Sequence, residues 1–251
     1  MSDQNGSSEY YGEVLDSIPF SMTVDLMKRM LPSPLAYGIA GYFRLKYWIG
    51  LPSKPRYAFG PVSASQATEK EQMPARAMSR WAGKIERLRD LGFHECAFAV
   101  PDLIGAKESA GALLLDDQGS TFAVLEYHRM QGANGVEEQT VLEFNSYLAN
   151  GSEFMTAMVA EEHLVLADAF PIDFVDQDFL ADSVSIRKGY EHHLERMRQF
   201  QPMTFRSEEA SVEQRKHNQK RFDALLAMGV IRKLSPREID HVRQQKLPIE
   251  G

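Results

Sequence analysis

Gln139-Thr140-Val141-Leu142-Glu143-Phe144-Asn145-Ser146-Tyr147-Leu148-Ala149-Asn150-Gly151-Ser152-Glu153-Phe154-Met155-Thr156-Ala157-Met158-Val159 holds the strongest hairpin signal of the chain. Two runs with a two-residue alternation flank Asn150-Gly151, a dipeptide that accepts the positive φ angles of a type I′ hairpin. A two-residue loop there predicts that Leu148 opposes Glu153, Ser146 opposes Met155, Phe144 opposes Ala157 and Leu142 opposes Val159, an apolar side turned to the core. The other face would then pair Tyr147 with Phe154, Asn145 with Thr156 and Glu143 with Met158. A slip of one residue exchanges such faces, because successive side chains alternate across a strand.

Working outward, the same alternation begins at Phe93. It predicts strands over Phe93–Val100, Gly111–Leu115, Thr121–Arg129, Gln139–Ala149, Glu153–Val159 and Leu164–Phe170, with a short one at Ile172–Val175. Asp116-Asp117-Gln118-Gly119 and Gly132-Ala133-Asn134-Gly135 supply turns. Before the strands, Pro74 to Leu91 places Ala77, Trp81, Ile85, Leu88 and Leu91 at helical spacing, with Gly92 as its stop. After them come helices over 183–200 and from Ser207 to about Met228, and a short one from Ser235. The helix after Ser207 carries only a sparse apolar stripe (Val212, Phe222, Leu225, Leu226), so its middle is expected to be solvated.

The fold class that follows is α+β: an antiparallel β-meander of five to seven strands, flanked by N-terminal and C-terminal helices. The domain reading gives a disordered N-terminus over 1–20. An aromatic-rich helical segment and Pro-rich linker follow over 21–73. The α+β domain spans 74–251, with its sheet at about 93–175. Helices are expected near 24–31, started by a Ser or Thr cap, and over Leu35–Leu51.

Hydrophobic residues make up 43% of the 251, enough for a sizeable core. The lone cysteine, Cys96, excludes an internal disulfide framework and sits in an apolar run as a small hydrophobe. The first 16 residues lack the basic and apolar regions of a signal peptide, and no apolar run is long enough to span a bilayer. The expected location is cytoplasmic. Net charge is −7, and residues 93–182 carry 17 acids against two Lys or Arg. Basic flanking helices lying across an acidic sheet account for that layout, or else an acidic face is kept for a cationic partner or metal ion. Either way it argues against nucleic-acid binding, since a phosphate backbone would be repelled.

Few residues suggest chemistry. His192 and His193 are adjacent and would point about 100° apart on a helix, so they cannot chelate one ion together. No metal site or cofactor is expected, and the aspartates at 168, 173, 176, 178 and 182 read as a solvated acidic rim lacking EF-hand spacing. Familiar nucleophile-elbow, phosphate-loop and dinucleotide motifs are absent from the sequence. The weak catalytic candidates are Glu126 and His128, two apart on one strand, with Glu143 on the next; together they would make a hydrolase-type acid/base cluster.

Binding surfaces are the stronger expectation. One is the mixed face of Tyr147, Phe154, Asn145 and Thr156. The other is the aromatic segment with Tyr42, Phe43, Tyr47 and Trp48, set beside Arg44 and Lys46, which suits docking on the protein itself, on a second subunit, or on the inner face of a membrane.

The helix ending in Leu91-Gly92-Phe93, the run Asp117-Gln118-Gly119-Ser120-Thr121-Phe122-Ala123, the element Phe144 to Ser152, and Glu191-His192-His193-Leu194-Glu195-Arg196 resemble a loose set of uncharacterised bacterial proteins over residues 83–200. The resemblance implies this order of helix, strands and helix, and a hydrophobic, membrane-associated leading segment. Here the corresponding stretch, 35–51, is short and charged. No activity comes with it. The expected function is therefore a non-catalytic binding or scaffold protein with an unknown protein partner; the alternatives are the hydrolase-type enzyme and a peripheral membrane protein.

Overall fold

The two-residue alternation after Phe93 becomes a seven-stranded sheet in the computed structural model, which describes residues 9–14, 16, 18–49, 53–132, 135–164 and 170–244. Strands β1 (Tyr11–Glu13), β2 (Ala58–Phe59) and β3 (Gln66–Ala67) precede β4 (Phe93–Val100), β5 (Leu103–Ile104) and β6 (Ala106–Asp116). Then follow β7 (Phe122–Gly132), β8 (Gly135–Tyr147), β9 (Glu153–Val159), β10 (Val175–Ala181) and β11 (Ile231–Lys233). The helices are α1 (Phe20–Lys28), α2 (Ser33–Trp48), α3 (Ala75–Arg89), α4 (Ile186–Met197), α5 (Ser207–Ala227) and α6 (Pro236–Gln244). The large sheet runs β10-β9-β8-β7-β6-β4-β3, and a small antiparallel sheet runs β11-β1-β2-β5. The architecture is α+β.

The meander from β4 to β9 is antiparallel, but β10 pairs with β9 in parallel. That corrects the all-antiparallel expectation. Of the acids taken for a solvated rim, Asp173 and Asp182 flank β10 and are exposed, and Asp168 lies outside the described residues. Asp176 and Asp178 sit on the strand, bound to Arg196 Nη2 at 2.7 Å and His192 Nε2 at 2.6 Å. The strand expected at Leu164–Phe170 falls mostly on residues outside those described, as does the centre of the turn at 132–135.

The hairpin register is also corrected. Tyr147 pairs with Glu153, Asn145 with Met155 and Phe144 with Thr156, one residue away from the predicted pairing. Gly151 takes φ +82°, and no described non-glycine residue has positive φ, so Asn150 is not the first half of a type I′ pair. Leu148 N donates to Ser152 O (2.9 Å) and Gly151 N to Leu148 O (2.9 Å). This is a three-residue loop: a turn followed by a left-handed glycine. The slip moves Tyr147 and Asn145 to the opposite face from Phe154 and Thr156.

One face of the sheet is covered by α3 and α4. Trp81, Ile85 and Leu88 pack there with Phe93, Leu114, Leu125, Leu142 and Phe144, and each such buried side chain stabilises by about 1.5–3 kcal/mol. Gly189 lets α4 approach closely, since a Cβ there would lie 2.7 Å from Met158 Sδ. Ser185 caps α4 by accepting from Lys188 N (3.3 Å).

The other face carries Leu113, Leu115, Phe122 and Tyr147 beneath α5, where Ala210 is buried. Helix α6 packs on the small sheet through Val242 and Ile239, near Tyr10 and Ala58. Its start is a reciprocal cap in which Ser235 N donates to Glu238 Oε2 (2.9 Å) and Glu238 N to Ser235 Oγ (3.4 Å).

The domain reading needs two further corrections. Tyr11–Glu13 is a strand paired with Ile231–Lys233, not part of a disordered leader, because its backbone groups find partners in the C-terminal strand. The linker before residue 74 is woven into both sheets through β2 and β3. Helix α1 has no side-chain cap; Thr23 Oγ1 donates back to Pro19 O at 3.2 Å.

Candidate functional site

Helix α5 places Gln214, His217, Asn218 and Arg221 on one side, at spacings of three, four and seven residues. The expectation of a solvated middle is corrected here: this stripe is polar, but it faces the sheet. Gln214 is buried, and the Tyr147 ring stacks on His217 at 3.4 Å and 10°. The Tyr147 hydroxyl donates to Gln214 Oε1, whose Nε2 donates to Asn218 Oδ1 at 3.1 Å. Burial pushes the Tyr147 phenol well above its ordinary range, and burial with nearby Lys220 pulls His217 down to about 4.

Arg221 is the electrostatic centre. Its Nη2 donates to Asn145 Oδ1 (2.7 Å) and to Glu153 Oε1, and its Nη1 to Glu143 Oε2 (3.4 Å). Asn145 Nδ2 donates to the same Glu143 oxygen at 3.3 Å. The Glu153 side chain has no exposed surface, so this guanidinium compensates a fully desolvated carboxylate.

Register then assembles the carboxylates. Glu126 pairs across from Val141, and Glu143 from Val124, which makes the two acids diagonal neighbours on the face beneath α5. Diagonal positions on a sheet sit roughly 7–8 Å apart. The Glu126 carboxylate lies 3.5 Å from His128 Nε2. Both acids line a cavity of about 210 Å³ closed by Asn218, Arg221 and Phe222 of α5 and by Glu13, Phe59 and Ile231 of the small sheet. A second lobe, also about 210 Å³, adjoins it, and Val124, Glu126, Gln214 and Asn218 line both. This second lobe is mainly aliphatic, and Gly111, directly across from Glu126, leaves room in its floor.

The acids respond to this setting in opposite directions. Burial pushes the Glu143 carboxyl up; Arg221 opposes that and the Glu126 charge adds to it. Burial also works against the Glu126 charge, but the His128 contact, with Arg221 beyond, holds its carboxyl below the ordinary value. Glu13 is raised by burial, with partial offset from its hydrogen bond to Tyr57. The Glu126 side chain is 45% exposed, so solvent reaches it through the open side of the cavity. One carboxyl held below its ordinary range beside another held above it is the division expected of an acid/base pair.

The structure thus brings Glu126, His128 and Glu143 together. It separates the four residues of the predicted mixed face. Tyr147 and Asn145 lie under α5; Phe154 and Thr156 lie under α4. All four are buried, so no open surface unites them. Thr156 accepts from Arg196 Nη1 (2.8 Å) and meets His193 Nδ1 (3.0 Å), while His193 Nε2 meets Ser146 Oγ (3.0 Å). On α2, Tyr42, Tyr47 and Trp48 are exposed and Phe43 is half-buried.

Among the described residues, no group of three or more His, Cys, Asp or Glu could hold a metal ion, and no helix is long and apolar enough to cross a membrane. Sequence reasoning missed Arg221, Asn218, Gln214 and Glu13. The signal for the first three was present as a polar stripe at helical spacing.

No protein-family model, curated protein or solved structure matches this chain.

Proposed function

We propose that this chain binds a small organic molecule in the two-lobed cavity between α5 and the sheet. The observation that carries the reading is Glu126, set on the wall common to both lobes, paired with His128 and diagonal to Glu143. A cleft in which a few polar groups converge between apolar walls is the usual composition of a ligand site. A bound molecule with a labile proton would meet Glu126 as base and Glu143 as acid, which keeps the hydrolase-type alternative tied to the same residues.

Saturation-transfer NMR against a small-molecule library tests this, comparing the native chain with Gly111→Val. A Cβ at 111 makes only an ordinary contact, 3.8 Å from Ala99 O, and an unchanged melting temperature checks that the two further methyls of valine are also accommodated. Support consists of binders lost in the variant at unchanged melting temperature. Binders unaffected by the variant, or none at all, overturn the reading.

A second reading, attachment to an anionic bilayer surface, is favoured by α2. Only Ala36 and Ala40 of this helix are buried, while Leu35, Tyr42, Leu45 and Ile49 are exposed and Trp48 is 85% exposed. Arg44 and Lys46 border that apolar side on the helical wheel. Residues 26–68 hold six Lys or Arg and no carboxylate. Apolar insertion with flanking basic charge suits a headgroup layer of negative charge. Co-sedimentation with phosphatidylcholine vesicles, with and without phosphatidylserine, checks it. Binding that needs the anionic lipid, fades with salt and is lost in Trp48→Glu supports the reading; no binding at low salt overturns it.

A further inference from the structure

We infer that the cavity selects an amphiphilic cation, a molecule with an ammonium head and a short apolar body. The inference rests on the cavity being a ligand site and names the chemistry of its occupant.

The lobe nearest Arg221 presents three carboxyl groups, Glu13, Glu126 and Glu143. Among the described residues, the one cation on its wall, Arg221, is already engaged by Glu143, Glu153 and Asn145. Carboxyl groups therefore outnumber basic groups on this half-open wall, and Glu126, held below its ordinary range, supplies its standing negative charge. Anionic ligands are disfavoured there for the same reason that a cation is favoured.

Phe59 and Phe222 complete that wall, with ring centroids 6.3 Å apart and planes at 84°. Aromatic faces beside carboxylates form the environment that attracts ammonium groups. Burial pushes the Glu13 and Glu143 carboxyls up, so each can give up a proton when a cation comes to lie beside it.

The adjoining lobe has a different character. Ala97, Phe98, Leu113, Val124 and Pro101 line it. Among the described residues, its charged lining groups are Glu126, on the shared wall, and Arg215, which is exposed. A head held at Glu126 therefore has a mainly apolar space beside it, suited to a body of a few methylene groups. The match is one of charge in one lobe and hydrophobicity in the next, hinged on Glu126.

Titration calorimetry near pH 7 with octylamine, octanol and octanoate, all below their aggregation concentrations, tests this on the native chain, Glu126→Gln and Gly111→Val. The expected result is octylamine binding at least tenfold tighter than octanol, with octanoate weakest. Glu126→Gln should reduce the amine preference severalfold, and Gly111→Val should weaken both amine and alcohol. Octanol or octanoate binding as tightly as octylamine overturns the ammonium assignment while leaving the cavity as a ligand site. Binding of none of the three to the folded native chain overturns both.

Discussion

Replacing Arg221 with Met keeps much of the side-chain stem and removes the charge that offsets Glu153 and Glu143. Glu153 is wholly buried, and Asn145, also buried, loses the donor that satisfies its carbonyl oxygen. Glu143 can shed its charge by holding a proton, since burial already pushes its carboxyl up. The principal loss therefore falls on Glu153. Breaking a buried pair by removing one partner costs about 3–5 kcal/mol. For a chain of this size each kcal/mol moves the melting temperature by about 2–4 °C, so a fall of roughly 6–20 °C is expected.

Urea titration followed by circular dichroism measures the change. The double variant Arg221→Met/Glu153→Gln should recover more than half of it, because the uncompensated charge goes while the shape remains. A single-variant loss below about 1 kcal/mol, or a double variant no better than the single, would refute the account of α5 as an electrostatically anchored helix.

Two further outcomes are expected. His193 is held at about 3 against an ordinary 6.5, first by burial and then by Arg196 and His192, so in acid the unfolded chain takes up a proton that the folded chain refuses. Its contribution to stability is fully present above pH 6.5 and falls away towards pH 3, at about 1.4 kcal/mol per pH unit. The stability difference between the native chain and His193→Gln, measured by urea titration from pH 7 to pH 4, should shrink accordingly; a constant difference would contradict it. Gly151→Ala forces a left-handed φ of +82° on a residue with a Cβ and should cost about 1 kcal/mol in the same titration. No loss would show that the hairpin loop is not fixed as described.

Much of the architecture was legible in local pattern. Strands β4 and β9 occur with the residue bounds that alternation predicts, and Ala77, Trp81, Ile85 and Leu88 turn inward as their spacing requires. Those features depend on near neighbours in the chain, where the periods of strand and helix are fixed by backbone geometry. Glu126 and His128 were likewise legible as a pair, being two residues apart on one strand.

The site as a whole was not. Asn150-Gly151 fits two loop lengths, and the choice between them decides whether Tyr147 shares a face with Phe154 or with Glu153. Strand β10 was hidden because its aspartates answer to Arg196 and His192 on a helix that comes later in the chain. Arg221, which reaches 68 and 78 residues back to Glu153 and Glu143, leaves no mark in hydrophobic periodicity because it docks α5 through charge. Local pattern alone required a sheet with an apolar side and helices to cover it. Only the tertiary structure decided that a polar helix covers its other side and closes a carboxylate-lined cavity, since pairing between distant segments is set by burial and charge compensation that no local pattern encodes.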